Sequence, residues 1–170
     1  MATAIVYGSN TGVGQGVADD LKALLGDNVD EVLNIAEVDL DKLLEYDKLI
    51  LGISTWDIGE LQYDWGDKAD GLPEKDWKGK QVALWGMGDA AGYPDTFVDA
   101  LGMVWAPLMQ RGAELVGKVP VDGYEFEASR SLCDNRTKFL GLPLDNDNES
   151  EKTDDRLKAW AEQLKSEMFG

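Results

Sequence analysis

The chain reads as an α/β protein: a parallel sheet covered by helices on both faces. Three observations carry that reading. Short apolar runs alternate with stretches of helical periodicity. The runs are continuous rather than apolar at every second residue, as strands buried on both faces are. Each of the three strongest runs leads into loop sequence that carries glycine.

Those three are AIVY at 4–7, KLILGI at 48–53 and VALWGM at 82–87. A weaker run, EVLNI at 31–35, lies between the first two, and GAELVG at 112–117 follows the third. Between the runs, Val17, Leu21, Leu24 and Leu25 share one helical face, as do Phe97, Leu101, Val104, Trp105 and Leu108. A last helix is expected from about Thr153, with Thr153, Asp154 and Asp155 as its N-terminal signal and Leu157, Trp160, Ala161, Leu164 and Met168 on its buried side. The stretch KVPVDGYEFEASRSLCDNRTKFL, residues 118–140, fits the alternation poorly and precedes a short apolar run, FLGLPL. Structureless loops of that length are uncommon, so it reads as a functional surface excursion or an inserted hairpin. The length of 170 residues fits one domain, 1–170, with a sizeable core.

Composition narrows the chemistry. Sixteen Lys and Arg stand against 33 Asp and Glu, a formal net charge of −17, which disfavours nucleic acid and anionic membranes and favours basic protein surfaces. There is no histidine, so His-based triads, His metal sites and His acid–base chemistry are excluded. The single Cys133 can form neither an intramolecular disulfide nor a metal-binding cysteine cluster, and no metal site is expected. One cysteine suits a reducing, cytoplasmic setting. No basic segment followed by an apolar one opens the chain, and no apolar run reaches membrane length.

In a parallel sheet of this kind ligands bind beyond the carboxyl ends of the strands, which singles out the loops at 8–14, 54–60 and 86–93. The first lies in YGSNTGVGQG and has no lysine or arginine before Lys22. A helix N-terminus can hold a phosphate through unpaired N–H groups and the helix dipole alone. Two familiar phosphate motifs fail on spacing: Gly12 and Gly14 are followed by Val17, not a third glycine, and no Gly-Lys-Ser/Thr follows. The loop therefore reads either as an anion site or as a polar turn capping a helix. The other two loops carry Trp56 in STWDIGE and Tyr93 in GDAAGYPD. Each alone is compatible with an ordinary partly buried aromatic. Together, beside an anion loop, they suggest a planar ring stacked between them with its phosphate on the helix.

The segments STWDIGELQYDW, GMGDAAGYPDTFVDALG, DGYEFEASRSL and FLGLPLDNDNESEKTDDRLKAWAEQLKSE resemble long-chain flavodoxins, the cyanobacterial kind in particular. The resemblance spans nearly the whole chain. It implies a flavodoxin-like three-layer α/β/α sandwich with a five-stranded parallel sheet, strand order 2-1-3-4-5, the fifth strand split by the insertion. It also implies one non-covalent FMN. Carried over, Ser9, Asn10, Thr11, Gly12, Val13 and Gly14 would hold the phosphate, and Trp56 and Tyr93 would cover the two ring faces. Ser54, Thr55, Asp57, Gly59, Gly88 and Asp89 would line the ring edge, with Asp145 near the flavin. The implied function is a monomeric low-potential one-electron carrier shuttling between semiquinone and hydroquinone, and not an enzyme. Its implied partners are photosystem I and ferredoxin–NADP reductase, with the protein replacing ferredoxin. The alternatives are an FMN-dependent NAD(P)H:quinone reductase on the same fold, and a regulatory protein that has lost its flavin.

Two positions depart from the family's pattern. Gly14 stands where a threonine is usual, so one hydroxyl donor to the phosphate is missing, worth roughly 1.5–3 kcal/mol, and weaker FMN binding is expected. Asp57 stands where asparagine or glycine is common, at the peptide that reorients on reduction in the family. A side chain strains the reoriented form, and a carboxylate there is expected to lower the potential of the second reduction step.

Overall fold

The computed structural model describes residues 2–8 and 11–170. In chain order its strands are β1 (Thr3–Tyr7), β2 (Glu31–Asn34), β3 (Lys48–Gly52), β4 (Thr55–Trp56), β5 (Glu60–Leu61), β6 (Gln81–Met87), β7 (Glu114–Leu115), β8 (Val119–Pro120), β9 (Leu132–Cys133), β10 (Lys138–Phe139) and β11 (Leu142–Leu144). The α-helices are α1 (Val13–Leu25), α2 (Leu40–Leu43), α3 (Tyr63–Lys68), α4 (Asp99–Gln110) and α5 (Asn146–Glu167).

The main sheet is parallel and runs β2-β1-β3-β6, with β7 and β11 sharing the position beyond β6. At the start of β6, Gln81 and Val82 face Glu114 and Leu115 of β7. At its end, Trp85, Gly86 and Met87 face Leu142, Pro143 and Leu144 of β11. The order is therefore the expected 2-1-3-4-5 with the fifth strand in two halves. The intervening segment is more than a hairpin: β8, β10 and β9 form an antiparallel three-stranded sheet of their own.

The apolar runs are continuous because side chains of one strand alternate between two cores. Ala4, Val6, Leu49, Leu51, Val82 and Leu84 pack with Leu101, Val104 and Leu108 of α4. Their neighbours Ile5, Ile50, Ala83 and Trp85 pack with Leu21 of α1 and with Leu157, Trp160 and Leu164 of α5. Gly52 is required at the end of β3, because a Cβ there would run into the Trp85 ring. Among the described residues no helix is long and apolar enough to cross a membrane.

Two features differ from the sequence expectation. The last helix begins at Asn146, not near Thr153. Asp145 caps it, accepting from the Asn148 N–H at 3.0 Å, and a non-helical Glu149 (φ −135°, ψ 40°) separates this first turn from the rest. Thr153 and its two aspartates thus lie inside the helix, on a turn whose apolar spacing had not yet begun. The short α2 and α3 carry too few buried residues to show a period; α3 buries only Trp65.

Candidate functional site

The loops after β1, β3 and β6 converge with the first turn of α5 on a cleft of about 350 Å³. Thr11, Val13 and Gly14 line it from the first loop. Gly12 is the N-cap of α1 and sits in the left-handed region, φ 84°, which glycine adopts without steric cost. The first closed turn follows, with the Gly16 N–H on the Gly12 carbonyl at 3.0 Å. The N–H groups of Val13, Gly14 and Gln15 precede any possible acceptor within the helix, and its first turn has no acidic residue. Here the helix presents the positive end of its dipole, with no carboxylate in its own first turn. Ser9 and Asn10 lie outside the described residues.

The second loop is a hairpin. β4 and β5 pair Thr55 with Leu61 and Trp56 with Glu60, and the Gln62 N–H closes it on the Ser54 carbonyl at 3.1 Å. Its turn holds Asp57 at φ 43° and Gly59 at φ 75°. Aspartate tolerates the left-handed conformation better than most residues, which makes Asp57 admissible there. Ser54, Thr55, Trp56 and Asp57 line the cleft. The Thr55 hydroxyl accepts from the Ala100 N–H at 3.0 Å and so pins the hairpin to the start of α4. Gly59, expected at the ring edge, does not line the cleft: it faces away, and a Cβ on it would meet the Asp99 carboxylate at 3.0 Å and Thr96 at 3.2 Å.

The third loop leaves β6 through Met87, Gly88 and Asp89 and reaches Tyr93, all on the cleft. Gly88 is packed so closely that a Cβ would meet Val98 at 2.8 Å. The Asp89 carboxylate accepts from the Gly92 N–H at 2.7 Å and from the Asn148 amide at 2.8 Å, and these bonds hold its carboxyl below the ordinary range. The Tyr93 N–H returns to the Asp89 carbonyl at 2.9 Å, fixing an aromatic side chain that is 40% exposed at the mouth.

Asp145 is fully buried and does not line the cleft. It is a tether: one oxygen accepts from the Ala90 N–H at 3.1 Å, the other from the Asn148 N–H at 3.0 Å. Sequence reading missed Gln62, Met87, Asn146 and Asp147, which complete the lining. Asn146 and Asp147 were hidden by the late helix start, although Asp145 and Asn148 carry the spacing of a helix cap. Gln62 is the N-cap of α3, accepting from the Trp65 N–H at 3.3 Å. Burial, then the charges of Asp89 and Asp145, push the Asp147 carboxyl up.

Among the described residues the lining contains no lysine or arginine. An anion bound here must be held by backbone N–H groups and hydroxyls, and that holds at the α1 end alone, because Asp57, Asp89 and Asp147 make the other end acidic. The donor set therefore fits a phosphate at one end and an uncharged planar group beside Trp56 and Tyr93 at the other.

The family model for flavodoxin matches residues 5–160. The flavodoxin of Nostoc sp. is 42% identical over 164 residues, covering 96% of this chain and 95% of that protein. Flavodoxin 1 of Azotobacter vinelandii is 44% identical over 169 residues, covering 97% and 96%. Among solved structures, Fusobacterium nucleatum flavodoxin bound to flavin mononucleotide superposes with a TM-score of 0.90 at 27% identity, covering 98% of each chain. With its sheet order, its split last strand and its family match over most of its length, the chain belongs to the flavodoxin family.

Proposed function

We propose that the chain binds FMN non-covalently in this cleft and works as a low-potential one-electron carrier, not as an enzyme. The observation that carries the reading is the joining, in one cleft, of an uncharged helix N-terminus and two aromatic side chains on separate loops. Flavin mononucleotide is the molecule bound by the Fusobacterium relative, and its phosphate and planar ring suit the helix N-terminus and the two aromatics that this cleft joins.

Bound FMN supplies the one-electron redox chemistry at its ring. This chain supplies binding and electrostatics. The N–H groups of Thr11, Gly12, Val13 and Gly14, with Ser9 and Asn10, would hold the phosphate. Trp56 and Tyr93 would cover the ring faces and exclude water, while Ser54, Thr55, Asp57, Gly88 and Asp89 would border its edge. Asp57, Asp89 and Asp147 disfavour added negative charge, which lowers the potential.

The formal charge of −17 supports weak, salt-sensitive docking of a monomer to basic redox partners in the cytoplasm. Photosystem I and ferredoxin–NADP reductase are the partners of the photosynthetic version of this role, in which the protein replaces ferredoxin. The similar identities to the Nostoc and Azotobacter proteins support the carrier role more than its photosynthetic form.

The test is an anaerobic reductive titration of FMN-reconstituted protein, followed by visible absorption. Two resolved one-electron steps, the second needing a low-potential reductant, are expected. A single two-electron bleaching with NAD(P)H oxidation by the protein alone would favour a quinone reductase instead. Failure to take up FMN would refute the cofactor assignment.

A further inference from the structure

Behind the hairpin, on the side away from the cleft, one stretch of the insertion bonds to the end of the Tyr93 loop and to the start of α4, and it faces Ile58 and Gly59 of the hairpin turn across a shared cavity. The N–H groups of Glu127 and Ala128 both donate to the Pro94 carbonyl, at 2.8 and 3.0 Å, immediately after Tyr93. The Phe97 N–H donates back to the Ala128 carbonyl at 3.3 Å. Two residues on, the Arg130 N–H donates to Asp99 Oδ1 at 2.7 Å. The Ser131 hydroxyl donates to the Val98 carbonyl at 2.6 Å and accepts from the Gly102 N–H at 2.9 Å.

These bonds surround a strained point. Val98, the N-cap of α4, is fully buried with φ 48° and ψ 31°. A β-branched residue in the left-handed region is a genuine outlier and persists only where its surroundings hold it. The strain sets the direction in which α4 starts, and the hairpin sits on that start: Ala100 holds Thr55, and the other oxygen of Asp99 abuts Gly59. The Asp99 side chain is 4% exposed, and the cation that pairs with it among the described residues, the Arg130 guanidinium at 3.8 Å, is itself largely in water. Such a carboxylate is held by backbone geometry more than by a counter-charge.

We propose that residues 127–131 of the insertion, acting through Asp99, set the position of the 57–59 turn against the cofactor, which makes Asp99 a positioning residue. What the turn does there rests on the FMN reading; the mechanical coupling of insertion to turn does not. The insertion thereby acquires a role within the protein: it braces the Trp56 and Tyr93 loops from one common base.

The experiment is amide hydrogen exchange on flavin-free protein, with FMN affinity measured by fluorescence titration alongside it. In Asp99→Ala, exchange at residues 57–61 and 127–131 should rise together by about tenfold or more, while β1, β3 and β6 keep their protection. Asp99→Asn keeps an acceptor for the Arg130 N–H and should rescue 127–131. FMN affinity should fall in the alanine variant by a similar factor. Gly59→Ala presses on Asp99 from the other side and should loosen 127–131 even though the substitution lies in the hairpin; it decides the question if Asp99→Ala does not fold. Faster exchange confined to 127–131, or a uniform rise through every strand, would overturn the coupling. A wild-type protein that takes up no FMN would sink the cofactor reading instead, leaving the exchange pattern to judge the brace.

Discussion

Replacing Asp145 by alanine tests how the β6 loop is fastened to the last helix. The carboxylate has no solvent exposure and accepts four contacts: the Ala90 N–H at 3.1 Å, the Asn148 N–H at 3.0 Å, and the Asn148 amide at 3.1 and 3.0 Å. Loss of the helix cap costs about 1 kcal/mol. An Ala90 N–H left without its acceptor costs a further ~1–3 kcal/mol. One effect opposes these. Oxygens of Asp89, Asp145 and Asp147 lie within 4.8 Å of one another, so removing one charge relieves repulsion. Two charges ~5 Å apart repel by roughly 0.8 kcal/mol at the dielectric of water and several times more in the interior. Asp147 is exposed and Asp89 partly so, which places their share toward the lower end. The hydrogen-bond loss wins, leaving a net destabilisation of about 1–3 kcal/mol. Asp145→Asn drops the charge but keeps one acceptor, and should be nearly as stable as the parent or more so. Urea unfolding of the flavin-free proteins at neutral pH, with equal m-values, reads both differences. If the alanine variant matches the parent, or the asparagine variant loses as much as alanine, the tether reasoning fails.

Four other expectations follow from named residues. Gly14→Thr adds a hydroxyl at the phosphate end and should tighten FMN by about 10- to 150-fold, equivalent to roughly 1.5–3 kcal/mol, in a fluorescence titration; unchanged or weaker binding would contradict it. Asp57→Asn keeps a residue that tolerates the left-handed turn while removing its charge, and should raise the potential of the second reduction step by up to about 90 mV, the upper bound for a charge ~8 Å away at an effective dielectric of ~20; an unchanged potential would contradict a local charge effect. Burial pushes the Tyr124 phenol up to about 12, against 10.0 ordinarily. The unfolded chain therefore loses this proton first, so stability is full below pH 10 and falls by roughly 2–3 kcal/mol as pH rises to 12, a decline that Tyr124→Phe should flatten in alkaline unfolding curves. Gly52→Ala drives a methyl group into the Trp85 ring and should cost at least about 3 kcal/mol in thermal or urea unfolding, whereas an alanine at the open position Gly66 should be tolerated.

Much of the molecule was legible in the order of its residues. The runs at 4–7, 48–53 and 82–87 are strands because a segment buried on both faces must be apolar at every position. The loops that bring Thr11, Gly14, Trp56, Asp57, Asp89 and Tyr93 to the cleft were legible because ligand loops follow strand ends, and local sequence sets where strands end; Asp57 and Asp89 were singled out within them by the family resemblance. Less legible was whatever depends on a residue's neighbours in space. Gly59 looked like its companions in the turn, yet a hairpin has two sides, and only the packing of Thr55 on α4 decides which side faces the cleft. The first turn of α5 carried no apolar stripe because it packs against a loop 55 residues away through one carboxylate.

By itself, then, the sequence determined the layer architecture, the identity of the three loops that line the cleft and the absence of histidine chemistry, since periodicity, turn chemistry and composition are local properties that each segment carries alone. Tertiary structure decided that Asp145 ties the β6 loop to α5 from a buried position, that Gln62 and Asp147 join the cleft, and that the insertion bonds to the end of the Tyr93 loop and to Asp99 at the start of α4. Each of those outcomes turns on a hydrogen bond or a close approach between residues far apart in the chain, which no local pattern encodes.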